Sequence, residues 1–212
     1  MTIRVALTHT TRYDYDRPAS LSPQVVRLRP APHNRTPVHE YSLRLEPGKH
    51  FLNWLQDSHG NHVARVVIPD RTPVFQVSVD LIVDLVSYDP FDFFVEPYAE
   101  KYPFEYPSAQ RAEIGLYLER DPVTPLLAEF IETCDRKQKS IVDFLVEVNR
   151  RVSERVDYVI RMEPGVRTPE QTLEIGAGSC RDSAWLLVQV LRHLGIAARF
   201  VSGYLIQLVP DV

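Results

Sequence analysis

The stretch GAGSCRDSAW, residues 176–185, places a cysteine where a glycine-rich turn meets an amphipathic helix. Ser179 is a natural N-cap, and Asp182 stands at the third helical position, where its carboxylate can bond back to the cap. The apolar spacing and a closing glycine predict a helix over residues 180–194. A helix N-terminus favours the thiolate, which is the nucleophilic form of cysteine, so Cys180 is a candidate nucleophile.

The residues next to Cys180 have opposing effects on a thiolate. Arg181 favours the negative charge, whereas Asp182 opposes it. The glycines of the turn, including Gly178, are predicted to keep side chains away from the sulfur so that a substrate can approach. Free cysteine is also often a small buried residue, so placement alone leaves a nucleophile and a helix-cap cysteine equally open. Cys134, near a helix end, is predicted to be structural.

The chain around this turn has helical periodicity from residue 125 onward. Helices are predicted over residues 125–133, after an N-cap at Ser140, and after a cap at Thr168 that is followed by proline. Residues 158–161 are predicted to be extended. Residues 198–208 alternate in polarity and are predicted to form a strand.

The first part of the chain is rich in proline and alternates with a period of two, as half-buried strands do. This alternation predicts strands over residues 3–9, 40–46 and 77–86, and a hairpin of residues 51–56 with 63–68. Several short strands separated by turns indicate a sandwich-like antiparallel domain that ends near Tyr88. The predicted fold class is therefore α+β.

Residues 89–107 join the two parts and contain four prolines and seven aromatic residues. Because so much apolar area is costly to leave in water, this segment is predicted to be an irregular strap packed across the domain junction. A substrate-facing aromatic wall is the alternative. The chain is divided into a β domain with this junction segment, residues 1–107, and a core, residues 108–212.

Composition excludes several classes of protein. The net charge of −4, from 24 Lys and Arg against 28 Asp and Glu, offers no basic field for nucleic acid. No apolar run is long enough to span a membrane, and the polar residues after the first strand do not fit a signal peptide. Two cysteines cannot form a disulfide framework, and a cytoplasmic location is expected. His59 and His62 flank a glycine turn and are too few for a metal site, so neither metal nor cofactor is expected.

Residues 176–187, GAGSCRDSAWLL, and 191–205, LRHLGIAARFVSGYL, resemble the nucleophile segment of bacterial transglutaminase-like proteins, often described as cysteine proteases. Residues 167–173, RTPEQTL, fit the same family. Residues 54–61, WLQDSHGN, resemble the N-terminal β domain that precedes the core in these proteins. The resemblance covers most of the chain, and its cysteine segment is fairly specific.

The resemblance implies a papain-like core with a Cys–His–Asp triad in that chain order, and a thioester formed with a glutamine or another acyl substrate. It identifies Cys180 as the nucleophile. The supporting turn comprises Gly178, Ser179, Arg181 and Asp182.

The histidine and the acidic residue that the family implies are absent from this sequence. In the family both lie on strands that follow the cysteine helix, but here 212 − 180 = 32 residues follow Cys180, and their only histidine is His193. Thirteen helical positions rotate His193 by about 220° and carry it ~20 Å along the axis. His193 is therefore predicted to favour the helix dipole. The chain is expected to be a truncated piece of a longer enzyme and inactive as it stands.

Three functions are compatible with these observations. The first is a fragment of a transglutaminase-like thiol enzyme that performs acyl transfer or amide hydrolysis on a protein or peptide substrate. The second is a non-catalytic protein-interaction module built on the same fold. The third is an acyl carrier like the arylamine N-acetyltransferases, which the preceding β domain disfavours by analogy. An exposed C-terminal strand at 198–208 also predicts self-association.

Overall fold

A computed structural model describes residues 2–87 and 89–207, which divide into two units by their internal contacts. The β unit comprises the described residues of Met1–Asp92 and Gly203–Val212, and the helical unit comprises Phe93–Ser202. Most of the aromatic segment 89–107 therefore belongs with the helices, whereas the sequence-based division after residue 107 assigns it to the β domain.

The β unit contains two antiparallel three-stranded sheets within the described residues, in the orders β1-β6-β3 and β2-β5-β4. The predicted antiparallel β architecture is confirmed. The strands are β1 (Ile3–Ala19), β2 (Gln24–Val26), β3 (Val38–Glu46), β4 (Phe51–Gln56), β5 (His62–Val67) and β6 (Thr72–Leu85).

β6 is the central strand of its sheet, and its buried apolar residues recur at every second position. Phe75, Val77, Val79, Leu81 and Val83 are all buried on one face. The strand pairs with β1 on one side and with β3 on the other. β1 extends well beyond the predicted residues 3–9 because β6 offers partners along nearly its whole length.

The predicted hairpin is confirmed as β4 and β5, and Asp57 holds its turn. The Asp57 Oδ1 atom accepts the backbone N–H groups of His59 and Asn61, each at 2.9 Å. The Asn61 side chain donates to Asp57 Oδ2 at 2.9 Å. These hydrogen bonds, above all those from Asn61, lower the pKa of Asp57 to about 2. His59 thus lies in a structural turn, and no metal-ligating cluster of three or more residues occurs in the part of the chain that the structure describes.

The helical unit contains the predicted helices, together with turns and two pairs of two-residue strands. Residues Pro97–Ala99 and Gly115–Leu118 form 3₁₀ turns. The other elements are β7 (Lys101–Tyr102), α1 (Ser108–Glu113), α2 (Pro125–Glu132), β8 (Lys139–Ser140), α3 (Ile141–Arg155), β9 (Asp157–Tyr158), α4 (Pro169–Ile175), β10 (Ala177–Gly178) and α5 (Cys180–His193).

The core of the helical unit forms where α3 and α5 meet, with the aromatic strap packed against it. Phe144 of α3 is buried in one cluster with Leu186 and Val190 of α5. The Tyr102 ring stacks on Phe144 with the ring centroids 3.6 Å apart, and its hydroxyl donates to Leu194 O at 3.3 Å. The helical unit therefore holds this part of the strap through buried apolar contacts. No helix among the described residues has the length and hydropathy to cross a bilayer.

The strand predicted over residues 198–208 is wrong for the described part of that range. Residues 196–207 have no strand geometry, and residue 208 lies outside the described residues. The Ala198 N–H donates to Tyr117 O at 2.9 Å, and the Arg192 guanidinium donates to Ala198 O at 2.9 and 3.0 Å. Ala198 thus bonds to a turn and a side chain, because alternating polarity does not by itself supply a neighbouring strand.

The segment beyond Ser202 packs within the β unit. Tyr204 and Ile206 contact the buried Val79, Leu81 and Val83 cluster of β6. The Tyr204 hydroxyl donates to the carbonyl oxygen of residue 28 at 2.7 Å. The described residues form no strand edge here, and self-association of the chain stays a prediction.

The stacked pair at the centre of the helical unit predicts a large stability loss. Phe144 is 1% exposed, so Phe144→Ala should lower the free energy of unfolding by about 3–5 kcal/mol through lost transfer energy and a cavity. Val146→Ala is the matched control, because Val146 lies on the same helix and is 50% exposed. The measurement is the urea dependence of Cys134 thiol exposure, which reports on this unit. Equal midpoints for the two variants would contradict the assigned core.

Candidate active site

Cys180 is the first residue of α5 and is exposed, whereas Cys134 is buried. The Cys134 thiol lies in the core at 4% exposure and donates to Phe130 O at 3.9 Å. Burial raises the pKa of Cys134. The burial of Cys134 agrees with its predicted structural role, while the nucleophilic role of Cys180 stays a prediction.

A short parallel bridge holds the backbone just before Cys180. β10 pairs with β9, so that Ala177 lies opposite Asp157. The Asp157 N–H donates to Gly176 O at 2.9 Å, and the Val159 N–H donates to Gly178 O at 3.0 Å. The turn is therefore fixed to the segment that follows α3 by backbone hydrogen bonds.

The two glycines of the turn are required for reasons other than access to the sulfur. Gly176 ends α4 with a φ of 67°, which is left-handed and favours glycine. A Cβ at Gly178 would lie 2.9 Å from the Cβ of Asp182, closer than side chains pack. Gly178 thus lets the turn lie directly against Asp182, while its role in clearing space around the thiol stays a prediction.

The Asp182 carboxylate is completely buried and gathers hydrogen bonds from three residues. Ser179 donates to Oδ2 through its backbone N–H at 2.9 Å and through its hydroxyl at 2.8 Å. Arg161 binds both oxygens, with Nε to Oδ2 and Nη2 to Oδ1 each at 2.9 Å. The Arg167 backbone N–H donates to Oδ1 at 2.9 Å. Asp182 thus bonds back to the N-cap, as predicted, and also to a distant segment.

Asp182 stays ionised in this buried position because the hydrogen bonds from its partners outweigh the cost of removing the carboxylate from water. Burial by itself would raise its pKa, but the hydrogen bonds from Arg161, Arg167 and Ser179 hold the pKa well below the usual range of a carboxyl group. The Arg161 side chain is only 8% exposed. The two side chains therefore form a buried, bidentate ion pair.

Residues 159–167, the anchored segment, fold around the Arg161 guanidinium. Nη1 of Arg161 donates to Glu163 O at 3.2 Å, and Nη2 donates to Gly165 O at 2.8 Å. Arg181 reaches the same segment from α5, with Nη2 at 3.1 Å from Arg161 O and 3.2 Å from Glu163 O. Arg181 thus binds backbone carbonyls, a positioning contact that its sequence position does not indicate.

Arg161 is the residue of this site that the sequence pattern does not indicate. It lies in a piece predicted only to be extended, twenty-one residues before its partner Asp182. Its neighbours Ile160 and Met162 are 80% and 88% exposed, so the apolar pattern gives no indication that Arg161 points inward. The available signal is chemical: a carboxylate at the third position of a helix, next to a cap, requires a partner when it is buried.

His193 lies in the last turn of α5, at the opposite end of the helix from Cys180. Its Nε2 atom donates to the carbonyl oxygen of Asp121 at 3.1 Å. Burial lowers the pKa of His193, which favours the neutral ring at pH 7. His193 thus lies in the last turn as predicted, and a favourable interaction with the helix dipole stays a prediction. The helical unit contains no other histidine.

A cavity of about 270 Å³ opens between α2, α3 and α4. Its lining includes Phe130, Arg151, Arg155 and Leu173, but not Cys180. No cysteine or histidine lines it. This cavity therefore does not include the candidate nucleophile.

Two family models match this chain, one for each part. Residues 5–84 match the bacterial transglutaminase-like N-terminal region, and residues 128–209 match the core of the transglutaminase-like superfamily. The two matches together give a bacterial transglutaminase-like N-terminal region followed by a transglutaminase-like core. The family resemblance inferred from the cysteine segment is confirmed.

Known proteins similar to this transglutaminase-like chain are longer. It is 25% identical over 214 residues to uncharacterized proteins of Mycobacterium bovis and Mycobacterium tuberculosis, across 96% of this chain and 66% of each relative. The chain thus spans about two thirds of the length of these relatives. The crystal structure of a "putative cysteine protease" from Cytophaga hutchinsonii matches with a TM-score of 0.60 and 14% identity, over 92% of this chain and 66% of that one. At this identity, the likeness concerns the fold.

The difference in burial predicts which thiol of the transglutaminase-like chain reacts first. Iodoacetamide at neutral pH should alkylate Cys180 well before Cys134, because Cys134 is 4% exposed and burial raises its pKa. Peptide mapping by mass spectrometry gives both rates, with the urea-unfolded chain as the reference. Faster labelling of Cys134 in the folded protein would refute the assignment.

The buried pair also predicts a pH-dependent contribution to stability. The folded pKa of Asp182 lies below its unfolded value, so its contribution is complete above about pH 4 and is lost as pH falls through the folded pKa. Asp182→Asn should cost about 3 kcal/mol or more at pH 7, because it leaves Arg161 buried without its charge partner. Urea unfolding measures the difference in the free energy of unfolding between wild type and Asp182→Asn. This difference should be constant between pH 7 and 5 and should narrow below pH 4. Glu132→Gln is the control, since Glu132 is 81% exposed, and a difference that widens in acid would contradict the pairing.

Proposed function

We propose that Cys180 is the acyl-accepting nucleophile of a transglutaminase-like thiol enzyme. The observation that carries the proposal is an exposed thiol on the first residue of α5, with its preceding turn fixed by the buried Asp182 carboxylate. The match of the core to the transglutaminase-like superfamily and the fold likeness to a "putative cysteine protease" support the same assignment.

The proposed reaction forms and cleaves a thioester. The Cys180 thiolate attacks the carbonyl carbon of an amide, the new C–S bond forms, and the C–N bond breaks. The nitrogen leaves as ammonia or an amine after it takes up a proton. Water then releases a carboxylic acid, or an amine takes the acyl group to form a new amide, and the thiolate is restored. The first turn of α5 presents backbone N–H groups that can stabilise the developing oxyanion.

A glutamine side chain or a peptide bond in a protein is the proposed substrate. Either one supplies the amide carbonyl that the thiol attacks, and both are compatible with a thiol on the surface rather than in a closed cavity. Whether the acyl group passes to water or to an amine depends on the second substrate. The common step is acylation of Cys180.

The proposal assigns the general base neither to the helical unit nor to the rest of residues 1–212. The histidine of that unit, His193, is at the far end of α5, where it donates to Asp121 O. A thiol enzyme needs an imidazole within hydrogen-bond reach of the sulfur and an orienting group for that imidazole. Without the base, both thiol deprotonation and protonation of the leaving nitrogen are lost.

The chain of residues 1–212 should therefore acylate once and not turn over amides. A nitrophenyl ester should acylate Cys180 stoichiometrically, because its leaving group needs no proton. The acylation should be faster in the folded chain than in the urea-unfolded chain. Glutamine-containing peptides and casein should give no multiple turnover, since general acid–base catalysis is worth ~10²–10⁴ in rate. Intact-mass spectrometry and ammonia release measure the two processes, with Cys180→Ala as the control.

Two results would contradict this account in different ways. Cys180-dependent multiple turnover of an amide would mean that a base is supplied within the chain or by a second copy. Acylation of Cys180 at the same rate in the folded and unfolded chain would mean that the turn does not activate the thiol. The second result would favour a non-catalytic interaction module on this fold.

A further inference from the structure

The ion pair between Arg161 and Asp182 involves more of the chain than helix capping requires. A capping box needs only the N-cap residue and the third helical residue, here Ser179 and Asp182. In this protein the same carboxylate also binds Arg161, which is 8% exposed and comes from a segment without regular secondary structure. The geometry therefore joins the start of α5 to the anchored segment through one buried charge pair.

Four further hydrogen bonds, two from Arg161 and two from Arg181, support this connection. Arg161 bonds the carbonyl oxygens of Glu163 and Gly165 within its own segment. Arg181, the residue after the thiol, bonds the carbonyl oxygens of Arg161 and Glu163. The anchored segment thus binds the first turn of α5 through the two residues that follow Cys180, Arg181 and Asp182.

We propose that Arg161 is the positioning residue of Cys180: it holds Asp182 against the N-cap and offsets the carboxylate charge two residues from the thiol. Arg161 acts through Asp182 and has no contact with substrate in this account. The inference rests on Cys180 being the reacting thiol. It adds a residue that neither the cysteine segment nor the fold likeness assigns.

The electrostatic part follows from the charges near the turn. On α5 these are Arg181 and Asp182, and in the anchored segment they are Arg161, Glu163 and Arg167. At the turn itself Asp157 pairs with Ala177, and the Arg155 guanidinium lies beside Gly176. Glu163 is 72% exposed and 3.9 Å from Arg161, so water screens it. Removal of the Arg161 charge would leave the buried Asp182 charge uncompensated beside the position where a thiolate forms.

Two alkylating reagents separate geometry from charge. Iodoacetamide is neutral and iodoacetate is an anion, and in both cases the thiolate displaces iodide from the same carbon. The iodoacetamide rate at Cys180 therefore reports on the geometry of the turn and on the thiolate. The ratio of the iodoacetate rate to the iodoacetamide rate reports on the local charge. Cys134 in the same chain shows whether the helical unit remains folded.

Three variants give distinct expectations. Arg161→Gln should move the iodoacetamide rate towards that of the unfolded chain and lower the rate ratio about threefold at low salt. Arg161→Lys should move the rate but keep the ratio, because lysine retains the charge without the two parallel hydrogen bonds. The double variant Arg161→Gln with Asp182→Asn should restore the ratio, because neither charge remains. In 0.5 M salt the change in the Gln variant should shrink.

Arg150→Gln is the matched control, because Arg150 is an exposed arginine on α3 that pairs with Glu154. It should change neither the rate nor the ratio. The proposal is overturned if Arg161→Gln leaves both values unchanged while Cys134 stays protected. It is also overturned if all three variants expose Cys134, because the pair would then stabilise the whole unit. Failure of the proposed function is a separate result. It requires that the nitrophenyl ester acylate Cys180 no faster in the folded wild-type chain than in the unfolded chain.

Discussion

The carboxylate of Asp182 carries a full negative charge inside the protein, and the arrangement around Cys180 depends on how that charge is satisfied. A buried ion without partners costs several kcal/mol, so its surroundings must supply donors in fixed positions. Ser179, Arg161 and the Arg167 backbone do so. Since the donors come from the N-cap and from the anchored segment, satisfying one charge fixes both of these pieces of chain against α5.

Other features of the helical unit are consistent with this constraint. Gly178 has no side chain because the turn lies against Asp182, and β9 bridges to β10 so that the anchored segment begins beside the turn. The apolar faces of α3 and α5 meet in the core and fix the axis of the helix that carries Cys180. The thiol is thus exposed on a rigid base, the arrangement that a nucleophile requires.

Sequence reasoning predicted much of this chain, because several of its signals are local. The Thr168 cap followed by proline, the Ser179–Asp182 capping pair, and the glycine after α5 each act within one helical turn. The hairpin of β4 and β5 is equally local, since Asp57 bonds within its own turn. The strand predicted beyond residue 198 failed because a strand needs a partner, and Ala198 bonds instead to Tyr117 and Arg192.

The sequence by itself determined the α+β class, the helix that begins at Cys180, the capping role of Asp182 and the family of the core. Each of these depends on residues close together in the chain or on a motif that is read directly. The tertiary structure decided that Arg161 is the charge partner of Asp182, that Arg181 binds the anchored segment, and that His193 donates to Asp121 O. These contacts join residues that are far apart in sequence. Burial makes these contacts necessary, because folding removes the water that would otherwise hydrogen-bond to these charged and polar groups.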